Sequence, residues 1–261
     1  MKDTKNTEFD GLFARLEDLR KRAARGDMGI SAFFSPRELH YAKGFLERSG
    51  ACFFCYGGYA DAERQRIYLL PEYMENATPD ELCEYGYSCD IAVIEAKGSG
   101  FEKLSHRSFM GALLGLGIER AVVGDIVMTS EDSAYVFCER GIADFLLSHW
   151  ERAGRDKIRL SETVVSADFA PVRSFAPVSD TVASARLDCV VAALCSLSRE
   201  KARSTVEAGL VELDYECEER PDREVTAPCL ISVRGVGKFR VTSLSDKTRK
   251  GRYRLVGEKF L

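Results

Sequence analysis

Between residues 90 and 166 the apolar residues switch repeatedly between a period of two and a period near 3.6, and few folds accommodate such a chain. The alternation predicts strands at 90–96, 121–129, 134–138 and 157–166, and helices at 105–116 and 141–152. Read in order these give βαββαβ, the succession of the split βαβ or ferredoxin-like plait.

The same plait is the scaffold of RNA-recognition (RRM-like) domains, in which aromatic side chains on a central strand stack on bases. Tyr135 and Phe137 fall on one face of the third strand, which reads Ser133-Ala134-Tyr135-Val136-Phe137-Cys138. That strand lacks the basic-glycine-aromatic pattern of a stacking platform, so both rings are expected to serve packing.

The flanks of the plait differ from it and from each other. Leu12, Phe13, Leu16 and Leu19 have helical spacing with charges between them, an amphipathic helix. Ser35-Pro36-Arg37-Glu38 supplies an N-cap, a proline at the first helical position and a glutamate three residues after the cap. A helix over 36–48 follows, ended by Gly50. Strand-like 52–56 and 67–70 then enclose Gly57-Gly58-Tyr59-Ala60-Asp61-Ala62-Glu63-Arg64 in a hairpin or loop that closes at Pro71. These elements predict a small α/β unit over 1–75, with the plait occupying 76–166.

Beyond the plait, Pro171, Pro177 and the small residues around them predict an extended linker over 167–180. A last domain is expected over 181–261. Thr181 or Ser184 can cap a helix whose buried face is Leu187, Val190, Val191 and Leu194, and a second helix spans 198–208 with Gly209 as its left-handed terminator. Short strands are expected at 210–213, 230–233, 238–242 and 253–256. The chain therefore reads as a multi-domain α+β protein.

Composition narrows the function classes. At 45% hydrophobic and 30% charged residues the chain can fill such cores, and disorder over long stretches is not expected. The first ten residues are polar and no run approaches eighteen apolar residues, so neither a signal peptide nor a membrane span is expected and the location is read as cytoplasmic. Nine cysteines, an odd number, favour reduced thiols. Cys52-x-x-Cys55 lies in the apolar run Cys52-Phe53-Phe54-Cys55-Tyr56 with no second pair to complete a tetrahedral site, so apolar thiols are expected there, with no metal and no cofactor.

Charge is unevenly distributed. From Thr181 onward the chain holds 15 Lys and Arg against 12 Asp and Glu, a balance of +3 where the whole chain carries −4. Arg199 and Arg203 stand four apart and share one side of the second C-terminal helix, near an N-terminus whose free amides and dipole also favour an anion. In Arg234-Gly235-Val236-Gly237-Lys238, with Arg240 beyond, two glycines let backbone approach a ligand flanked by cations, and Lys247, Arg249, Lys250, Arg252 and Arg254 add five charges.

These residues have the spacing of a known module. Arg186-Leu187-Asp188, Ser198-Arg199-x-x-Ala202-Arg203, Gly209-Leu210-Val211 and Ile231-Ser232-Val233-Arg234-Gly235-Val236-Gly237-Lys238-Phe239 resemble the S4 RNA-binding domain, or α-L motif. The resemblance implies RNA binding through Arg186, Ser198, Arg199, Lys201, Arg203, Arg234, Lys238 and Arg240. It departs at Leu213-Asp214, where valine-asparagine is common, and at Pro228-Cys229, where glycine-aspartate often precedes the strand. Upstream, Gly57-Gly58-Tyr59-x-x-Ala62-Glu63-Arg64 and the run from Ser105-His106-Arg107 through Gly124-Asp125-Ile126 look like signatures of the YlmH family of bacterial S4-domain proteins, with Ser108 where that family usually has aspartate. This implies a non-catalytic ribosomal RNA-binding factor, with rRNA, tRNA and the large subunit as partners. The expected setting is complexes that carry a stranded peptidyl-tRNA, which is ribosome quality control, and in some bacteria cell division. A monomer is expected.

The chain offers few of the residue sets that catalysis would need. His106-Arg107 at a helix start could be a base or an RNA contact, and with Arg64 forms a possible second RNA or partner surface. No Ser-His-Asp order, nucleophile elbow or zinc-binding His pair accompanies it, so no catalytic residue is assigned. Gly98-Ser99-Gly100-Phe101 lacks the context of a methyltransferase cofactor loop, Arg186-Leu187-Asp188 sits in a helix rather than a pseudouridine-synthase active site, and the nucleotide-binding motifs of tyrosyl-tRNA synthetases are absent. Gly124-Asp125 is expected at a strand start, the aspartate serving a turn. Two alternatives stay open: an RNA-modifying enzyme around His106, Arg107 and Asp125, and a protein-interaction adaptor linked to cell division.

Overall fold

The computed structural model describes residues 9–77, 90–166, 168–171, 174–247 and 251–260. The chain divides into two compact units, Met1–Pro171 and Val172–Leu261.

The first unit opens with helix α1 (Asp10–Ala24), strand β1 (Gly29–Ile30), helix α2 (Pro36–Arg48) and strands β2 (Phe53–Tyr56) and β3 (Arg66–Leu69). Helix α2 starts where its sequence dictates: Ser35 Oγ accepts the Glu38 N–H at 3.3 Å and the Glu38 carboxylate accepts the Ser35 N–H at 2.7 Å. Its buried face, Leu39, Ala42 and Leu46, joins Leu12 and Leu16 of α1 over Ile67 and Leu69. Those two belong to β3, the central strand of a three-stranded antiparallel sheet.

The plait follows as β4 (Ile91–Gly98), α3 (His106–Gly115), β5 (Val123–Met128), β6 (Ser133–Glu139), α4 (Arg140–His149), β7 (Arg152–Ala153) and β8 (Asp156–Thr163). Its antiparallel sheet runs β5-β6-β4-β8-β7, so the first strand lies between the third and the last long one, as in the split βαβ plait. The two-residue β7 is an addition hairpinned on β8. It arises because α4 stops short of 152: Trp150 turns extended to bury its ring, and its indole N–H donates to the Arg152 carbonyl at 2.9 Å.

Alternation along the strands sorts the plait's side chains to two faces. Ala92, Ile94, Ala96, Ala134, Val136 and Cys138 meet Phe109 and Leu113 of α3 and Ala143 and Leu146 of α4. On the other face Val93 and Phe137 are covered by Tyr59 and Ala62 from the 57–65 loop, with Val165 and Phe169 packed against them. Phe137 has no exposed surface, its ring 5.0 Å from Tyr59 and 6.2 Å from Phe169. The rings on β6 are packing residues, as the strand's composition implied.

The second unit consists of β9 (Phe175–Val182), α5 (Leu187–Cys195), α6 (Arg199–Glu207), β10 (Val211–Leu213), β11 (Glu216–Cys217), β12 (Cys229–Val233), β13 (Gly237–Lys247) and β14 (Tyr253–Phe260). They form one antiparallel sheet in the order β11-β10-β12-β13-β14-β9. The stretch expected as a linker over 167–180 is corrected here. Its second half is strand β9, paired with β14 from Phe175 opposite Phe260 to Val182 opposite Tyr253. Pro177 is compatible because β9 is an edge strand, where a missing N–H breaks no ladder.

A second correction concerns the start of α5. Neither Thr181 nor Ser184 caps it; the N-cap is Arg186, without a side-chain bond. The Leu187 and Asp188 N–H groups donate instead to the Arg223 and Pro221 carbonyls at 2.8 and 3.0 Å, so backbone from a distant segment satisfies them. Helix α6 begins as expected, Ser198 Oγ accepting the Lys201 N–H at 3.3 Å, and is followed by Gly209 at φ +65°. Both helices bury Val190, Leu194, Ala202 and Val206 against Ile231, Val233, Phe239, Val241 and Leu255. Among the described residues no helix is long and apolar enough to cross a membrane.

Candidate nucleic-acid interface

Arg186, the N-cap of α5, and Arg199 of α6 converge on one carboxylate. Asp188, in the first turn of α5, keeps 3% of its side chain exposed and accepts Arg186 Nε and Nη2 at 3.1 and 3.0 Å, a two-pronged pair. Arg199 Nε approaches the same carboxylate at 3.6 Å. One turn along α6, Arg203 Nε meets Glu207 Oε1 at 2.8 Å. Burial alone would raise the Asp188 carboxyl, but hydrogen bonds from Arg186 and Cys189 and the charges of Arg186 and Arg199 outweigh it and hold it below the ordinary value. Its hydrogen bond in turn raises the Arg186 guanidinium. Asp188 thus holds Arg186 and Arg199, and Glu207 holds Arg203, yet the outer sides stay open: Arg199 and Arg203 are 62% and 63% exposed. Lys201 and Ser198 are exposed beside them, the Ser198 oxygen already engaged as the cap. Such a cluster can grip phosphate oxygens with forks that are already aligned.

The other expected contacts split away from this face. Arg234 is exposed in the turn between β12 and β13, its N–H donating to the Leu210 carbonyl at 2.9 Å. Phe239 and Val241 of β13 point into the helix-covered core, so Lys238 and Arg240 point to the opposite side of the sheet. There they meet rings that no local sequence pattern announced. Lys238 Nζ lies 5.3 Å from the centre of Tyr215 and 5.2 Å from that of Phe260. Arg240 Cζ lies 5.5 Å from Phe175 and 5.3 Å from Phe260. The cations could be read from Lys238-Phe239-Arg240, whereas Phe175 and Phe260 come together only through the pairing of β9 with β14, and Tyr215 joins them from the β10–β11 turn. Arg249 and Lys250 lie outside the described residues.

In the first unit His106, Arg107 and Arg64 do not form one surface. His106 and Arg107 are exposed at the start of α3, where Ser105 and Ser108 make a capping box. Ser108 thus supplies the acceptor for the Ser105 N–H, at 3.2 Å. Arg64 is interior, 8% exposed, donating to the Phe33, Val123 and Arg120 carbonyls at 2.9 Å each. Burial, then the charge of Arg120, lowers its guanidinium to about 10. Its place on a second RNA or partner surface is therefore corrected: it fastens the 57–65 loop to β5. Asp125 is likewise no turn residue. Its carboxylate accepts the Tyr59 hydroxyl at 2.6 Å and the Glu63 and Arg64 N–H groups at 2.7 and 3.1 Å. Desolvation, followed by the charge of Arg120, lowers the His106 imidazole.

The Cys52-x-x-Cys55 thiols are free, and burial pushes Cys55 up to about 11, far from a thiolate at neutral pH. Cys83 and Cys89 lie outside the described residues. Among the described residues no three His, Cys, Asp or Glu side chains are grouped to hold a metal.

Comparison with known proteins adds to this geometry. The family described as "Putative RNA-binding domain in YlmH" matches residues 86–167. Over 237 residues the chain is 32% identical to the Bacillus subtilis (strain 168) protein named "Ribosome-associated protein quality control protein P2", covering 89% of this chain and 87% of that one. A solved structure, "Cell division protein ylmH from Streptococcus pneumoniae", matches with a TM-score of 0.50 at 20% identity, covering 62% of this chain and 95% of the other, a likeness of fold.

Proposed function

Since the chain belongs to the YlmH family, we propose that it is a non-catalytic RNA-binding factor of the ribosome, acting in the cytoplasm on large-subunit complexes that carry a stranded peptidyl-tRNA. Its C-terminal unit is an S4 domain that docks on structured rRNA or tRNA. Arg186, Arg199, Lys201 and Arg203 meet phosphates, Ser198 sits at the helix start between them, and Arg234 adds a contact from the turn. The observation that carries this reading is the pair of guanidiniums held on the buried Asp188 carboxylate, 3.0 and 3.6 Å away. The orienting acid cancels one of the two positive charges but removes much of the entropy that a free arginine loses on binding phosphate. The name of the Bacillus subtilis relative supports the ribosomal setting, and the family matched over 86–167 supports RNA contact by the plait as well.

The test is sedimentation of the tagged protein through a sucrose gradient at low and high salt, with sequencing of crosslinked RNA. Comigration with the large subunit that falls linearly in log–log salt, with crosslinks in rRNA and tRNA, is expected. The Arg199→Glu/Arg203→Glu protein should remain at the top of the gradient while keeping the parent's melting temperature. Arg199→Gln/Arg203→Gln serves if a second acid beside Asp188 disturbs folding. A folded variant that still comigrates defeats the assignment.

A further inference from the structure

The C-terminal sheet has a second face, away from its helices, on which rings and cations gather. Strand alternation turns Phe239, Val241 and Leu255 toward the helices and leaves Lys238, Arg240, Glu258 and Phe260 on the opposite side. Cross-strand pairing sets Phe260 opposite Phe175, their ring centroids 5.1 Å apart and edge to face. Tyr215 stands beyond Lys238 in the β10–β11 turn at φ +69°, a left-handed conformation that a ring-bearing residue adopts at some strain. Side chains therefore follow one another as ring, cation, ring, cation, ring: Tyr215, Lys238, Phe260, Arg240, Phe175.

None of these rings belongs to the unit's buried core, and all three are only half-buried. Partly exposed cation–aromatic contacts add little to stability, a weak reason to build three large rings onto a solvated sheet face. Acids are present but outnumbered. Glu258 stands 3.8 Å from Arg240, and Glu212 lies on the strand beyond Ser232, while Arg254 adds a third cation two residues before Val256. Alternating flat apolar faces and cations match a polymer in which flat bases alternate with phosphates. An acidic peptide would use the cations and leave the rings idle, and paired, stacked bases of a duplex cannot reach the rings.

We propose that Tyr215, Phe260 and Phe175, with Lys238 and Arg240 between them, form a stacking platform for an unpaired RNA segment, on the face of the sheet opposite the helical arginines. When a base takes a ring face, the long Lys238 and Arg240 stems swing from ring to phosphate. The proposal rests on the reading of the chain as an RNA binder, but not on Arg199 and Arg203.

The experiment uses the full chain and fluorescence anisotropy with a labelled oligouridine, a labelled RNA hairpin, and heparin as a polyanion without bases. Phe175→Leu/Phe260→Leu keeps the apolar volume and removes the rings. It should weaken oligouridine binding on the order of tenfold, the scale of a lost base-stacking contact, with heparin affinity and melting temperature unchanged. Phe175→Tyr/Phe260→Tyr, which restores aromatic faces, should recover binding and guards against a leucine variant that folds poorly. Unchanged oligouridine affinity in the leucine variant overturns the platform. So does a parallel loss of heparin affinity, which would mark a plain basic patch, and so does an intact protein that ignores oligouridine. Failure of the helical reading looks different: hairpin binding survives Arg199→Gln/Arg203→Gln while the leucine variant still loses oligouridine.

Discussion

The plait sheet and the C-terminal sheet each bury one face under two helices, and each carries aromatic residues on the other face. In the plait those residues, Phe137 and Tyr135, are roofed by the chain's own Tyr59 and Phe169, and among the described residues no cation stands over their rings. In the C-terminal sheet Phe175 and Phe260 stay half-open and are interleaved with Lys238 and Arg240. A ring on a sheet face is therefore no sign of base stacking by itself. What distinguishes the two is whether apolar chain or mobile charge covers it, because the first cover must be torn from a packed interface and the second merely rotates about its own stem.

Four substitutions would break or sharpen that contrast. Phe137→Ala, at a residue with no exposed surface, should cost about 3–5 kcal/mol in urea unfolding. If it costs no more than Phe260→Ala, the plait face is not the sealed one. Asp188→Asn, which leaves Arg186 facing a neutral amide, should cost about 1.5–3 kcal/mol at neutral pH. Because the folded carboxyl titrates below its ordinary value, its stabilisation is present above about pH 4 and is lost as pH falls through the folded value, so the variant should show a flatter acid limb in a stability-versus-pH series. An unchanged acid limb would mean that Asp188 does not orient the arginines through its charge.

Gly58→Ala tests the roof itself. A Cβ there, at φ +102°, would lie 2.4 Å from the Phe137 ring, so a loss of about 1–3 kcal/mol is expected, together with faster proteolysis of the 57–65 loop. Smallest is Arg240→Ala: removing a cation from over two rings should change stability by only about 0.5–1 kcal/mol in the same urea assay. A larger loss would make the C-terminal face structural and erase the contrast.

Local rules carried most of the fold. The Ser35–Glu38 capping box, the left-handed Gly50 and Gly209 and the period changes across the plait each act within a few residues, and the structure has them where the sequence places them. What stayed hidden depends on distant pairing. Strand β9 looked like a connection because prolines at an edge resemble prolines in a linker, and only β14 makes it a strand. The amides of α5 are satisfied by carbonyls some 35 residues later, at Pro221 and Arg223. The same holds for the site: the spacing of Arg199 and Arg203 is helical and legible, but that Asp188 lies between Arg186 and Arg199 requires two helices to dock. Arg64, charged and loop-borne, looked exposed. It is buried where three backbone carbonyls accept its guanidinium.

Those three bonds have a bearing on how the chain can be divided. Arg64 reaches backbone 31, 59 and 56 residues away in sequence, and Asp125 reaches back 66 to Tyr59. Arg66 adds an ion pair to Glu139 at 3.3 Å. A fragment cut to the span of family similarity would carry Asp125 without Tyr59, Glu63 and Arg64, Glu139 without Arg66, and Phe137 without the Tyr59 and Phe169 rings. Evolutionary modularity and folding cooperativity therefore draw different borders here: the α/β elements over 9–77 and the plait should melt in one transition.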